Sequence, residues 1–206
     1  MKSSAEKASF ISTLMERQLI FQREPISISH RSSQPDKVTS SKITILKITM
    51  NSNKAILSNP IHLLAFGFGS GLSPKAPGTA GTVVALLIYL LLPARSPLLY
   101  AVMILVSFVL GIWLCGKTAE DLGVHDHGGI VWDEFVGYWI TMFMAPSGLI
   151  WAIVGFALFR VLDIFKPWPI KWADKELAGG LGIMLDDVLA GIMAALCIQA
   201  LVVLIG

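Results

Sequence analysis

Polar and hydrophobic positions divide this 206-residue chain into two unequal parts. Residues 1–50 contain no apolar stretch long enough for a signal-peptide core or a membrane span. They are rich in Ser, Lys and Gln and include Pro25 and Pro35, which predicts a loosely ordered extension ahead of a membrane-embedded domain over 51–206. Met50 opens a new segment, "MNSNKAILSNPIHLLAFG", so the extension is expected to be dispensable. Long apolar runs follow at 82–92, 98–114, 135–145, 149–159 and 188–205. A full span needs roughly 20 residues, with about 17 to 25 tolerated. The second and fifth runs qualify. The first does so only if 78–81 joins it, and the third and fourth only if the charged residues at their ends are helical too. The pattern predicts an all-α polytopic membrane protein with four or five membrane-inserted helices and polar motif loops at the interface.

The break "APSG" at 145–148 decides the topology, because Pro146 and Gly148 are turn formers and helix breakers. If it turns the chain back, the polar segments 67–81, 116–134 and 160–187 share one side of the membrane. That side holds Lys75, Lys117, Arg160, Lys166, Lys171 and Lys175, whereas the other holds Arg95. An excess of Lys and Arg marks the cytoplasmic side.

Composition agrees, with 54% hydrophobic and 15% charged residues and a mean hydropathy of +0.70. A net charge of +2 conceals an asymmetry, since residues 1–50 hold eight bases against four acids and the rest holds eight against ten. The basic balance therefore gives no argument for nucleic acid, and the apolar body leaves no soluble face broad enough to bind it. Cys115 and Cys197 lie in apolar runs, too far apart to suggest a zinc or disulfide framework, and read as small packing residues.

Four segments carry chemistry. "GFGSGLSPKAPGTAGT" (67–82) places five glycines and two prolines ahead of an apolar helix, so that backbone amides and a helix N-terminus can face an anion. It lacks the Gly-Lys-Ser/Thr of a Walker A loop, and a Gly/Pro turn feeding a helix explains it equally well. "DLGVHDHGGIVWDEFVGYW" offers His125, Asp126 and His127, then Asp133 and Glu134 at the head of a helix. Its oxygen-rich donors suit magnesium or manganese better than zinc. Gly137, one turn after Asp133, leaves room for another helix to approach. In "FRVLDIFKPWPIKW", Arg160 and Asp163 share a helical face, either as a mutual ion pair or with Arg160 and Lys166 as phosphate ligands. Trp168 and Trp172 fit an aromatic belt at headgroup level. "GGLGIMLDDVLAG" sets Asp186 and Asp187 at the head of the last run, as helix caps or as metal ligands. The hairpin brings Asp133, Glu134, Asp163, Asp186 and Asp187 to one membrane face, where a divalent ion is the economical way to offset their repulsion.

With these four motifs in this order, from about Asn59 to the C-terminus, the chain resembles the phosphatidylglycerophosphatase A family. The resemblance implies a Mg²⁺-dependent lipid phosphatase of the bacterial cytoplasmic membrane, with phosphatidylglycerophosphate as substrate. On that reading some of the five carboxylates hold Mg²⁺, and Ser73, Lys75, Gly78, Thr79, Arg160 and Lys166 line the substrate phosphate. His125 or Asp126 protonates the leaving alkoxide. Water is favoured as nucleophile, because Ser73 and Thr79 lack an evident activating base. The competing reading is a transporter using the carboxylates as a cation or proton path, which requires acids near the bilayer midplane beside broken helices.

The hairpin topology is checked by cysteine labelling. Cysteines placed at positions 75, 117 and 171 should react from the cytoplasmic face and one at 96 from the opposite face. Opposite sidedness of 117 and 171 would overturn the hairpin.

Overall fold

The computed structural model describes residues 53–205 apart from 55, 93–95 and 125–126. Every regular element among the described residues is helical. Helices α1 (Pro60–Ala65), α2 (Pro77–Leu91) and α3 (Pro97–Leu122) each begin on a proline, whose fixed φ suits the first turn and whose missing N–H is no loss there. Asn59 Oδ1 accepts from the Ile61 amide at 3.0 Å and Ser96 Oγ from the Leu99 amide at 3.2 Å, capping α1 and α3. A 3₁₀ turn, Gly67–Leu72, separates α1 from α2. The remaining helices are α4 (Trp132–Thr141), α5 (Leu149–Phe165), α6 (Ile170–Glu176) and α7 (Gly179–Ile205).

At 26 and 27 residues, α3 and α7 are long and apolar enough to cross a membrane. Residues 78–81 do join α2, yet it reaches only 15 residues; α5 has 17, including Arg160 and Asp163, and α4 stops at 10. Leu98, Val102, Leu105 and Val109 form an exposed apolar stripe on α3, and Leu87, Ile153 and Leu196 are likewise exposed on α2, α5 and α7. Span-length helices with outward apolar stripes point to membrane association. The "APSG" segment reverses the chain: Gly137 on α4 lies against Phe159 on α5, while Gly155 lies against Met142, the pairing of antiparallel neighbours.

Helix α4 is the centre of the bundle, with Glu134, Phe135, Val136, Gly137, Tyr138 and Trp139 all buried. Its polar tips bind the backbones around it. Trp139 Nε1 donates to Ala85 O on α2 at 3.1 Å, Trp132 Nε1 to Ser107 O on α3 at 3.1 Å, and Tyr138 OH to Ala152 O on α5 at 3.0 Å. Thr141 Oγ1 donates to Gly137 O at 3.0 Å and lies 3.4 Å from Gly191 O on α7. A buried polar group left unpaired costs about 1–3 kcal/mol, so these bonds fix how α4 sits among its neighbours.

Two features depart from the sequence reading. The polar segment 116–134 begins inside a helix, since 116–122 form the last two turns of α3. Likewise α7 starts at Gly179, so Asp186 and Asp187 lie two turns inside it and cannot cap its N-terminus. The glycines before them serve packing: a Cβ at Gly180 would strike the Ile112 carbonyl on α3, and one at Gly182 the Leu177 carbonyl. Cys115 is buried with its Sγ 3.7 Å from Met184 Sδ, as a packing residue should be, whereas Cys197 faces outward.

Where α4 meets α7, a Cβ on Gly191 would run into the Gly137 carbonyl, and one on Gly137 would lie 2.6 Å from the Phe159 ring and 2.8 Å from Asp187 O. Gly137→Ala and Gly191→Ala should each destabilise by about 1–3 kcal/mol through overpacking. The corresponding fall in Tm is roughly 2–4 °C per kcal/mol for a chain of this size. Gly128, where an added methyl would meet nothing within 4 Å, is the control. Wild-type Tm in both core variants, measured in one detergent, would contradict the close contact.

Candidate active site

The α4–α7 contact sets Asp187 beside the first turn of α4. Ligand atoms of Asp133, Glu134 and Asp187 lie within 4.8 Å of one another, as do those of Asp163, Asp186 and Asp187. All five carboxylates named from sequence thus fall in two overlapping groups that share Asp187. Glu134, Asp186 and Asp187 are buried, and Asp133 and Asp163 are half-buried. The Glu134 amide donates to Asp133 Oδ1 at 3.1 Å, turning that carboxylate back along the first turn of α4.

Two cations border the acids. Arg160 reaches across from α5, its guanidinium 2.6 Å from Asp163 Oδ2 and 3.9 Å from Glu134 Oε1. The mutual Arg160–Asp163 pair and the shared site are therefore both present. Lys166 ends α5 in the left-handed region (φ 43) and donates to Asp186 Oδ2 at 2.8 Å and to Asp174 Oδ1. Burial opposes its charge, but the hydrogen bonds to Asp174 and Asp186 outweigh that and hold the ammonium pKa above its ordinary 10.5. Charge compensation is nevertheless incomplete: Glu134 Oε2 and Asp186 Oδ1 are buried without a hydrogen-bond partner.

The glycine-rich segment reaches the same place through Gly78. A Cβ there would overlap Glu134 Oε1 and lie 3.3 Å from both terminal nitrogens of Arg160. Pro77 opens α2 and Ala80 N is the first amide bonded back, to Ala76 O, so the Gly78 and Thr79 amides have no partner within the helix. An uncapped helix N-terminus beside a guanidinium is suited to a phosphate. Ser73 and Lys75 lie in the preceding loop; the Ser73 hydroxyl donates to Lys75 O at 2.8 Å and Lys75 is exposed. His125 and Asp126 lie outside the described residues. His127 accepts from the Gly129 amide at 3.0 Å and packs against Phe66, a loop-forming role.

Sequence reasoning missed Asp174, which no periodic rule links to Lys166 across the Pro167–Pro169 turn. It also missed the group in which Asp121 receives Lys117 Nζ at 2.9 Å and lies 3.2 Å from His62 Nε2, joining α1 to the end of α3. Asp121 and Lys117 are spaced i,i+4, a signal that was legible; His62 is distant in sequence.

Carboxylates, a helix N-terminus and two cations are thus gathered by the four motifs at one end of the bundle. A family model described as phosphatidylglycerophosphatase A matches residues 63–202, which contain all of them. The chain belongs to the phosphatidylglycerophosphatase A family. It is similar to phosphatidylglycerophosphatase A of Escherichia coli, 50% identical over 68% of this chain and 81% of the relative. The Haemophilus influenzae protein of the same name is 50% identical over 72% of this chain and 92% of the relative. A Bacteroides thetaiotaomicron protein with the provisional name phosphatidylinositol-3-phosphatase is 41% identical over 66% of this chain and 89% of its own. No solved structure matches the chain. Phosphatidylglycerophosphatase A proteins are phosphatases, and the matched segment begins beyond residues 1–50.

Because Asp187 belongs to both carboxylate groups and Asp186 to one, the two should respond unequally. Asp187→Asn is expected to insert and fold but to lose activity about 100-fold or more, since even loss of an outer-shell partner costs 10–100-fold at metal sites. Asp186→Asn should lose less. Phosphate release near wild type in both variants would remove the pair from the site.

Proposed function

We propose that this chain is a Mg²⁺-dependent lipid phosphatase that hydrolyses phosphatidylglycerophosphate to phosphatidylglycerol and phosphate at the cytoplasmic face of the bacterial inner membrane. The observation that carries it is the meeting of five carboxylates, two cations and the α2 N-terminus, around Glu134, Arg160 and Gly78. Substrate identity comes from the two relatives named phosphatidylglycerophosphatase A. Sidedness is supported by the hairpin and by the basic residues on the motif side.

The donor set fits Mg²⁺. It is all oxygen, it lacks cysteine, and two of its buried carboxylate oxygens have no hydrogen-bond partner. Some of Asp133, Glu134, Asp163, Asp186 and Asp187, which form two groups sharing Asp187, would hold the ion. Once bound, it supplies positive charge to the phosphate oxygens and activates a water.

The side chains divide the remaining work. Arg160, fixed by Asp163 on one side and Glu134 on the other, presents its planar fork to the non-bridging phosphate oxygens. The Gly78 and Thr79 amides and Lys166 complete the cradle, as charge on the transferred phosphoryl group requires. Water attacks phosphorus, a carboxylate of the cluster takes its proton, and the bond to the glycerol oxygen breaks. His125 or Asp126 returns a proton to that oxygen, yielding the lipid alcohol. The Ser73 hydroxyl donates to the Lys75 carbonyl within its own loop, and neither Ser73 nor Thr79 has an evident activating base, which favours water as nucleophile.

Purified protein in mixed micelles should release phosphate from phosphatidylglycerophosphate, stop on chelation by EDTA and recover with Mg²⁺. Arg160→Lys should cost roughly 10–100-fold in kcat/KM, because a point charge replaces a bidentate fork. Chelator-insensitive release would refute the metal assignment. Absence of any phosphate release, with cation flux in proteoliposomes, would establish the transporter reading instead.

A further inference from the structure

Helix α6 packs on α7, and its Ile170 and Ala173 are completely buried. Asp174 follows directly, one turn after Ile170, so its place is set by core packing although its own side chain is partly exposed. Lys166, held in the left-handed conformation between α5 and the Pro167–Pro169 turn, spans from Asp174 to Asp186. Its ammonium has three donors, of which these carboxylates take two. An exposed Lys–Asp pair alone is worth little. Here, however, the ammonium is shared with a buried member of the carboxylate site, and Asp174 belongs to neither metal-competent group.

We propose that Asp174 is a positioning residue that anchors the Lys166 ammonium at the rim of the carboxylate cluster, with its third donor available to a phosphate oxygen. Without the anchor, the Lys166 ammonium keeps Asp186 as its remaining carboxylate partner among the described residues and swings toward solvent, away from the phosphate. The proposal deepens the phosphatase reading and rests on Lys166 as a phosphate ligand. The anchor itself does not depend on which lipid is hydrolysed.

The test compares wild type, Asp174→Asn, Lys166→Met and the double variant. Independently of activity, acetic anhydride labelling of Lys166, read by mass spectrometry against Lys171, should rise several-fold in Asp174→Asn. Kinetically, Asp174→Asn should raise KM for the lipid and the inhibition constant of inorganic phosphate together by about fivefold, the scale of one partly exposed charge-assisted hydrogen bond. Its kcat should stay within about twofold and its Tm unchanged. In the Lys166→Met background, Asp174→Asn should add nothing, because the effect passes through that ammonium. Unchanged Lys166 labelling, or the same KM increase in the Lys166→Met background, would overturn the proposal. Raised labelling in a protein that hydrolyses no phosphomonoester would instead uphold the anchor while refuting the phosphatase reading.

Discussion

Two helix backbones meet at Gly137 and Gly191, and the site depends on that meeting. Side chains larger than hydrogen at either position would push α7 away from α4. Asp187 would then leave Asp133 and Glu134, and the two carboxylate groups would no longer share a member. In a lipid environment little hydrophobic force draws apolar helices together, so close packing and interhelical hydrogen bonds must do it. Glycine provides the first here. The indole, phenol and hydroxyl groups of α4 provide the second, with bonds to α2, α3 and α5 and a longer contact to α7.

The same rigidity makes the acidic cluster tenable. Charge packed among helices is costly unless paired or hydrogen-bonded. Arg160 and Lys166 meet part of the demand, each engaged by a carboxylate of the cluster. Glu134 Oε2 and Asp186 Oδ1 still lack a hydrogen-bond partner. A scaffold that holds such groups in place rather than letting them relax toward solvent is what the proposed phosphoryl transfer, with its cation and phosphate, would require. Gly78 shows the fit from the opposite side, since a single methyl there would occupy the space between Glu134 and Arg160.

Much of this was legible in the order of residues. Apolar runs identified α3 and α7 as span-length, Pro146 and Gly148 marked the reversal between α4 and α5, and the four polar motifs held the acids and cations that converge. Local rules apply there, because run length, breakers and charge placement act over a few residues. They stopped short at 179–185, a glycine-rich stretch ahead of the last apolar run that belongs to α7, its glycines lying close against α3 and the chain near Leu177. They failed also at Cys197, since an apolar run does not disclose which face of a helix looks outward.

By itself the sequence determined the helical character of the described part of the chain, its two span-length segments, the inventory of charged groups and, through its motifs, the family. Tertiary structure alone decided that Asp187 is common to two carboxylate groups, that Gly78 abuts Glu134 and Arg160, and that Asp174 shares the Lys166 ammonium with Asp186. The reason is physical. Which carboxylate meets which cation depends on distances of a few ångströms between helices far apart in the chain, and these are set by glycine contacts and side-chain-to-backbone hydrogen bonds that no local spacing encodes.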